Sequence, residues 1–161
     1  MKNPILTLAS IAIFWACTAP VDENAQSSND PTAISFDSLL AAETGADVYG
    51  MRSYVIAYLL KGPNRDQDSL EAAQIQRAHL DNIKRMAEQG KLVLAGPYLD
   101  DHGVQGIYVF AVESIEEAEE LTRTDPAIKA GRLVMEMHPW YGSAALMKVG
   151  DLHTQLAKQG I

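Results

Sequence analysis

Residues 53–60 read Ser-Tyr-Val-Ile-Ala-Tyr-Leu-Leu, and this run ends at a Gly-Pro pair at positions 62–63. β-Branched and aromatic side chains favour extended backbone, and Gly-Pro interrupts it, so the stretch predicts a strand followed by a turn. Just beyond, Asp68 or Ser69 can cap a helix that runs to about Gln89. The patterned part of the chain therefore begins with a strand and a long helix.

Working outward from this unit, the sequence predicts a strand hairpin, a second helix and a last strand, over residues 91–94, 105–112, 114–122 and 132–137. A polar turn at 100–103 joins the two hairpin strands, and Ser114 with Glu117 forms a capping box. An Asp-Pro step at 125–126 ends the second helix. The order βαββαβ predicts a ferredoxin-like α+β fold, with one antiparallel sheet and both helices on one face.

The strand at 105–112 is apolar on both of its sides. A sheet with a second apolar face needs a cover, and a second copy of the chain packing sheet against sheet is the simplest one. The sequence therefore predicts a homodimer.

The composition limits the class of protein. The chain has 161 residues, 47% of them hydrophobic, with one cysteine and a net charge of −8. This length is typical of one folded domain, and a single cysteine excludes both an internal disulfide and a zinc site rich in cysteine. The excess of acid argues against a nucleic-acid partner, because such partners are held by Lys and Arg.

The N-terminal region predicts export. Residues 1–16 combine Lys2 with an apolar run that is too short to span a bilayer, which is typical of a signal peptide. Cys17 follows Ala16 as in a bacterial lipobox, although Phe14 and Trp15 depart from the usual pattern. Ordinary signal cleavage after Ala16 or Ala19 is the alternative. Residues 17–50 read as a polar tether with a short N-terminal extension, residues 51–141 as the domain and residues 142–161 as a C-terminal extension. We therefore expect a protein of the cell envelope, facing the periplasm and held to the membrane only by a lipid on Cys17.

His79 is the most informative position of the predicted long helix. It lies four residues from both Ile75 and Ile83, so an imidazole stands within the apolar stripe that faces the core. One interpretation is a core histidine whose nitrogens are hydrogen-bonded. The other is a general acid or base in a pocket between helix and sheet.

Three segments together resemble the YCII family: Gln-Arg-Ala-His-Leu at 76–80, Gly-Lys-Leu-Val-Leu-Ala-Gly-Pro at 90–97, and Asp125-Pro126 followed by Gly131. The resemblance covers roughly residues 51–141 and implies a dimeric α/β barrel made of two ferredoxin-like halves. It also implies a histidine paired with an aspartate at the active site. His79 matches that histidine and Asp125 is the first choice for the acid, while Asp100 and Asp101 are alternatives.

One member of the resembled family is a dehydrochlorinase of a chlorinated hydroxyquinol. A His/Asp pair suits proton abstraction next to a carbonyl or a phenol, and it requires no metal and no redox cofactor. The function expected from the sequence is therefore a cofactor-free isomerase or lyase acting on a small organic molecule. The alternative is a module that binds a small molecule, or another part of the cell envelope, without catalysis.

Three further side chains are candidates for substrate binding. Arg77 can hold an anionic oxygen if it reaches the pocket, although it lies about 200° around the helix from His79 and is otherwise a surface ion-pair partner. Tyr98 follows a strand exit and either lines the pocket or packs. Asp100 lies in the turn after it. A metal site at Asp100, Asp101 and His102 is not expected, since neighbouring turn residues cannot all point inward.

Overall fold

A computed structural model of the chain describes residues 35–100 and 102–159. The predicted signal peptide, Cys17 and the first part of the tether lie outside the described residues, and so does Asp101. Export and lipid attachment therefore stay predictions. Within the described part of the chain, no helix has both the length and the apolar character needed to cross a bilayer.

A four-stranded sheet and five helices form the described fold. The strands are β1 (Met51–Lys61), β2 (Leu92–Pro97), β3 (Val104–Phe110) and β4 (Leu133–Ser143). The helices are α1 (Ser38–Thr44), α2 (Ser69–Glu88), α3 (Ile115–Thr122), α4 (Pro126–Lys129) and α5 (Val149–Leu156), with a 3-10 turn over Ala144–Lys148 before α5.

The sheet has the order β2-β3-β1-β4 with every neighbouring pair antiparallel. From β1 to β4 the large elements follow the order βαββαβ. The predicted ferredoxin-like α+β fold is confirmed.

The last strand is longer than its sequence pattern suggests. We predicted residues 132–137, whereas β4 runs to Ser143 and pairs with β1 along its whole length, from Leu133 opposite Lys61 to Ser143 opposite Met51. Pro139 is the cause of the short prediction, because proline lacks the N–H group that a strand needs. An edge strand tolerates proline, because half of its N–H groups point away from the sheet, and β4 is an edge strand.

The main core lies between one face of the sheet and the helices. Val55, Ala57 and Leu59 of β1 alternate toward it and pack with Phe110 of β3 and Met86 of α2. Burial of these side chains removes apolar surface from water, which holds α2 against the sheet. This packing therefore fixes the position of the buried side chains of α2 relative to the sheet.

The opposite face of the sheet is partly covered by the C-terminal extension. Tyr54 points to this face and is buried, and its hydroxyl donates to the Ser143 carbonyl at 2.9 Å. The segment that follows β4 contacts both β1 and β2. Val134, near the other end of β4, stays exposed on the same face. The predicted homodimer and its barrel stay predictions, because the structure describes one chain.

The loop after β1 is joined to the turn before β4 by backbone hydrogen bonds. Gly62 N–H donates to the Arg132 carbonyl at 2.8 Å, and Asn64 N–H donates to the Gly131 carbonyl at 3.0 Å. A Cβ atom on Gly62 would lie 2.1 Å from the Gly131 carbonyl oxygen, so only glycine permits this approach. The two loops therefore form one fixed edge beside the N-terminal half of α2.

Candidate active site

The centre of the site is a buried pair of one imidazole and one carboxylate. His79 Nδ1 lies 2.8 Å from Asp125 Oδ2, and the two residues are 6% and 0% exposed. A carboxylate only accepts hydrogen bonds, so we assign the ring hydrogen to Nδ1 and leave the lone pair on Nε2. In this tautomer Nε2 can accept a proton.

Asp125 reaches this position because it caps α4. Its Oδ1 accepts the Ala127 N–H at 2.8 Å, and Pro126 occupies the first turn of the helix, where proline is favoured. One oxygen therefore serves the helix cap, and the other serves His79. The Asp-Pro step that ends α3 also delivers the carboxylate to the site.

Asn82, one turn after His79 on α2, adds a second contact to the carboxylate. Its Nδ2 lies 3.5 Å from Asp125 Oδ2, which is a long hydrogen bond. The orientation of the amide is set from the other side, since Asn82 Oδ1 accepts from Arg85 Nη2 at 2.7 Å. Asn82 therefore keeps a donor directed at the carboxylate.

Tyr108 of β3 lies on the other side of the imidazole. Its hydroxyl is 3.4 Å from His79 Nε2, and the two rings are stacked with centroids 6.3 Å apart. Burial raises the pKa of the Tyr108 phenol, and the negative charge of Asp125 raises it further. The hydroxyl therefore remains protonated and can donate to Nε2 or to an oxygen of a bound molecule.

His79 and Tyr108 line a cavity of about 330 Å³ between α2 and the sheet. Most of its wall is apolar, with side chains from β1, α2 and β4: Leu59, Ile75, Leu80, Ile83 and Leu133. Its polar side chains include Gln76 and Gln105. An apolar cavity of this size with a few convergent polar groups is typical of a small-molecule site.

The structure brings His79 and Asp125 together but does not bring the other three candidates to this cavity. Arg77 points to solvent, where its Nη2 forms an ion pair with Asp81 at 3.0 Å, because it projects from the opposite side of α2. Tyr98 and Asp100 lie beyond the end of β2 and are exposed. Their side chains are not part of the cavity wall.

Several side chains of the site were missed in the sequence. Tyr108 stands in a strand whose two faces are equally apolar, so the sequence does not tell which face meets the helices. Arg65 and Arg132 also line the cavity, and each lies in a loop without a recognisable motif. Asn82 could have been found, since it follows His79 by three residues and so shares its side of α2.

Residues 56–141 match the YCII-related domain family, which is more than half of the chain. The chain belongs to the YCII-related family. A stretch of 62 residues is also 31% identical to an uncharacterized protein, YjpA, of Bacillus subtilis (strain 168), and covers 38% of this chain and 71% of that protein. The family match of this YCII-related domain covers most of the sheet and all of the residues that line the cavity.

Among solved structures, the YCII-related domain is similar to 5-chloro-2-hydroxyhydroquinone dehydrochlorinase from Burkholderia phenoliruptrix, in complex with 2,5-dihydroxybenzoquinone. The TM-score is 0.41 at 20% sequence identity, over 55% of this chain and 93% of that chain.

Proposed function

We propose that this YCII-related domain catalyses cofactor-free proton transfer on a small organic molecule, as an isomerase or a lyase, with His79 as base and Asp125 as orienting acid. The observation that supports it is the 2.8 Å contact between the two side chains at the wall of a 330 Å³ cavity. A base that is oriented by a buried carboxylate and open to a cavity on its other nitrogen meets the geometric requirement for proton abstraction.

In the proposed reaction His79 Nε2 takes a proton from a carbon next to a carbonyl or within a phenolic ring system. The C–H bond breaks, its electron pair moves toward the substrate oxygen, and Asp125 stabilises the imidazolium that forms. Return of the proton to another atom gives isomerisation, and loss of a leaving group gives elimination. Proton transfer changes no oxidation state, so the reaction balances without an oxidant or a reductant.

Tyr108 fits this reaction as a hydrogen-bond donor. Its hydroxyl lies 3.4 Å from Nε2, and its raised pKa keeps it neutral while negative charge develops on the substrate oxygen. A fixed donor at such an oxygen lowers the barrier, because it stabilises the transition state more than the ground state.

Deuterium exchange tests the proposal without a known product. The purified domain is incubated in D₂O with a set of small carbonyl and phenolic compounds, and loss of C–H signals is followed by proton NMR. We expect exchange with at least one compound, abolished in His79→Ala and retained in Arg77→Gln, whose side chain is outside the cavity. Equal exchange by wild type and His79→Ala would remove His79 from the mechanism. Saturable binding with no exchange would support the non-catalytic alternative.

We also propose that the protein is exported and anchored in the cell envelope through a lipid on Cys17. The apolar run over residues 5–16, ending at the single cysteine, supports this proposal. The intact mass of the protein extracted from membranes should correspond to a chain that begins at Cys17 and bears diacylglycerol, while Cys17→Ser should leave the membrane fraction. A wild-type product that begins elsewhere and is found in the soluble fraction would contradict the anchor.

A further inference from the structure

Two arginines that are absent from the proposed mechanism line the same cavity as His79. Arg65 lies in the loop between β1 and α2, and Arg132 immediately precedes β4. Arg132 Nη1 donates to Gln67 Oε1 at 2.6 Å, and Arg65 Nη1 donates to the Arg132 carbonyl at 3.1 Å. Both hydrogen bonds end on neutral oxygens, so neither charge is cancelled by its partner.

The electrostatic surroundings of the two guanidinium groups favour an anion. Within residues 35–100 and 102–159, neither arginine forms an ion pair with a carboxylate, and the cavity wall includes no Asp or Glu. Among the described residues, Asp66, next to Arg65, is exposed and forms no ion pair. Asp68 accepts from the backbone of Leu70 and Glu71, and Asp125 is hydrogen-bonded to His79. In a chain of net charge −8, two uncompensated cations at one concave site create a local positive potential.

The backbone holds the two arginines before any ligand binds. The Arg132 carbonyl accepts from both Gly62 N–H and Arg65 Nη1, and Asn64 Nδ2 donates to the Ala130 carbonyl at 3.3 Å. These contacts join the two loops that carry the cations. A site that is ordered in advance loses less entropy on binding.

We infer that the cavity takes a small organic carboxylate with an apolar body, whose carboxylate group is bound by Arg65 and Arg132. A guanidinium presents paired N–H donors that match the two oxygens of a carboxylate, and each arginine keeps donors beyond the one it uses within the protein. The apolar side chains of the wall, Leu59, Ile75 and Leu80 among them, accept the body of the molecule and bring it beside His79. This inference names the substrate class of the proposed proton-transfer site and therefore rests on the proposed function.

Protein-observed NMR titration of the ¹⁵N-labelled protein tests the inference with three probes. Benzoate has both the anion and the apolar body, benzamide has the same shape without charge, and acetate has the charge without the body. We expect benzoate to bind at least tenfold more tightly than either other probe, and to shift the backbone amide signals of Gly62, of residues 64–67 and of residues 130–133. Arg65→Gln and Arg132→Gln should each weaken benzoate binding by about tenfold and leave benzamide binding unchanged.

Arg77→Gln is the matched control, because it removes an arginine of α2 that is already paired with Asp81 outside the cavity. Equal affinity for benzoate and benzamide would overturn the inference, and so would benzoate binding that is unchanged in both cavity variants. Thermal unfolding of each variant shows whether the fold is kept. The Arg132→Lys variant, which keeps the charge but loses the planar fork, should bind benzoate with an intermediate affinity.

The result separates this inference from the proposed function. Benzoate binding that survives in His79→Ala, with no deuterium exchange by the wild type, would support the carboxylate site and contradict the catalytic role. Exchange that is equally fast for a carboxylate compound and for its neutral amide, and unchanged for both in Arg132→Gln, would support catalysis and contradict the carboxylate as the substrate class.

Discussion

Asp125→Asn is expected to lower the rate of proton transfer by a factor on the order of 10⁴, the effect that the same substitution has through the wrong histidine tautomer in a Ser-His-Asp triad. The substituted amide side chain would keep its oxygen on the Ala127 N–H and turn its nitrogen toward His79. Nδ1 would then accept a hydrogen bond, and the ring hydrogen would move to Nε2, the nitrogen that has to take the proton. The rate falls because the hydrogen of the His79 ring has moved from Nδ1 to Nε2, while the shape of the site is unchanged.

Two measurements check this expectation. The ¹⁵N chemical shifts of the His79 ring should report hydrogen on Nδ1 in the wild type and on Nε2 in the variant, whether or not a substrate is known. The exchange rate in D₂O should fall with any compound that the wild type turns over. Asp68→Asn makes the same change at the cap of α2, away from His79, and should alter neither quantity. A variant at position 125 that keeps the Nδ1 tautomer, or a rate within tenfold, would exclude the orienting role.

Most of the fold could be predicted from the sequence, because local signals such as capping residues indicate where its elements begin and end. Asp68 caps α2 through the backbone of Leu70 and Glu71, and Ser114 caps α3 through Glu117 N–H, as their positions in the sequence predict. The exception is the end of β4. Pro139 suggests that the strand stops there, but the strand continues to Ser143 because it lies at the edge of the sheet. Edge position is a property of the whole sheet, so the sequence alone could not reveal it.

The residues of the candidate site likewise fall into two groups: those that the sequence marks and those that it does not. The step from His79 to Asp125 spans 46 residues, yet both lie in motifs, a helix stripe and an Asp-Pro cap, that resemble those of the family. Arg65 and Arg132 lack such a marker, and they share a cavity only because β1 and β4 pair in one register. Arg77 was drawn into the candidate set by its closeness in sequence to His79, whereas the turn of α2 sends it to solvent.

The same buried carboxylate also joins stability to function. Asp125 is the cap of α4, the partner of His79 and the acceptor for Asn82, so a single residue holds α2 and α4 at the distance that the site needs. Residues of this kind cannot be assigned to stability or to chemistry alone. Comparing a substitution that keeps the cap with one that removes it separates the two contributions.

Asp125→Ala is therefore expected to lower the free energy of unfolding by about 1.5–5 kcal/mol, the sum of a lost cap and a buried group left without its hydrogen-bond partner. Loss of the cap on α4 contributes about 0.5–2 kcal/mol. Leaving the buried His79 Nδ1 without a hydrogen-bond partner contributes a further amount of about 1–3 kcal/mol, because the residue is only 6% exposed. Asn82 Nδ2 loses its acceptor as well. Urea unfolding, followed by circular dichroism, measures the change.

Asp68→Ala is the matched control for this substitution. It removes an aspartate cap from a longer helix, but the carboxylate is exposed and has no buried histidine partner, so only the cap contribution should be lost. The difference between the two variants isolates the cost of orphaning the buried donors. If Asp125→Ala destabilises the protein no more than Asp68→Ala, the hydrogen bond to His79 adds nothing to the stability of the fold.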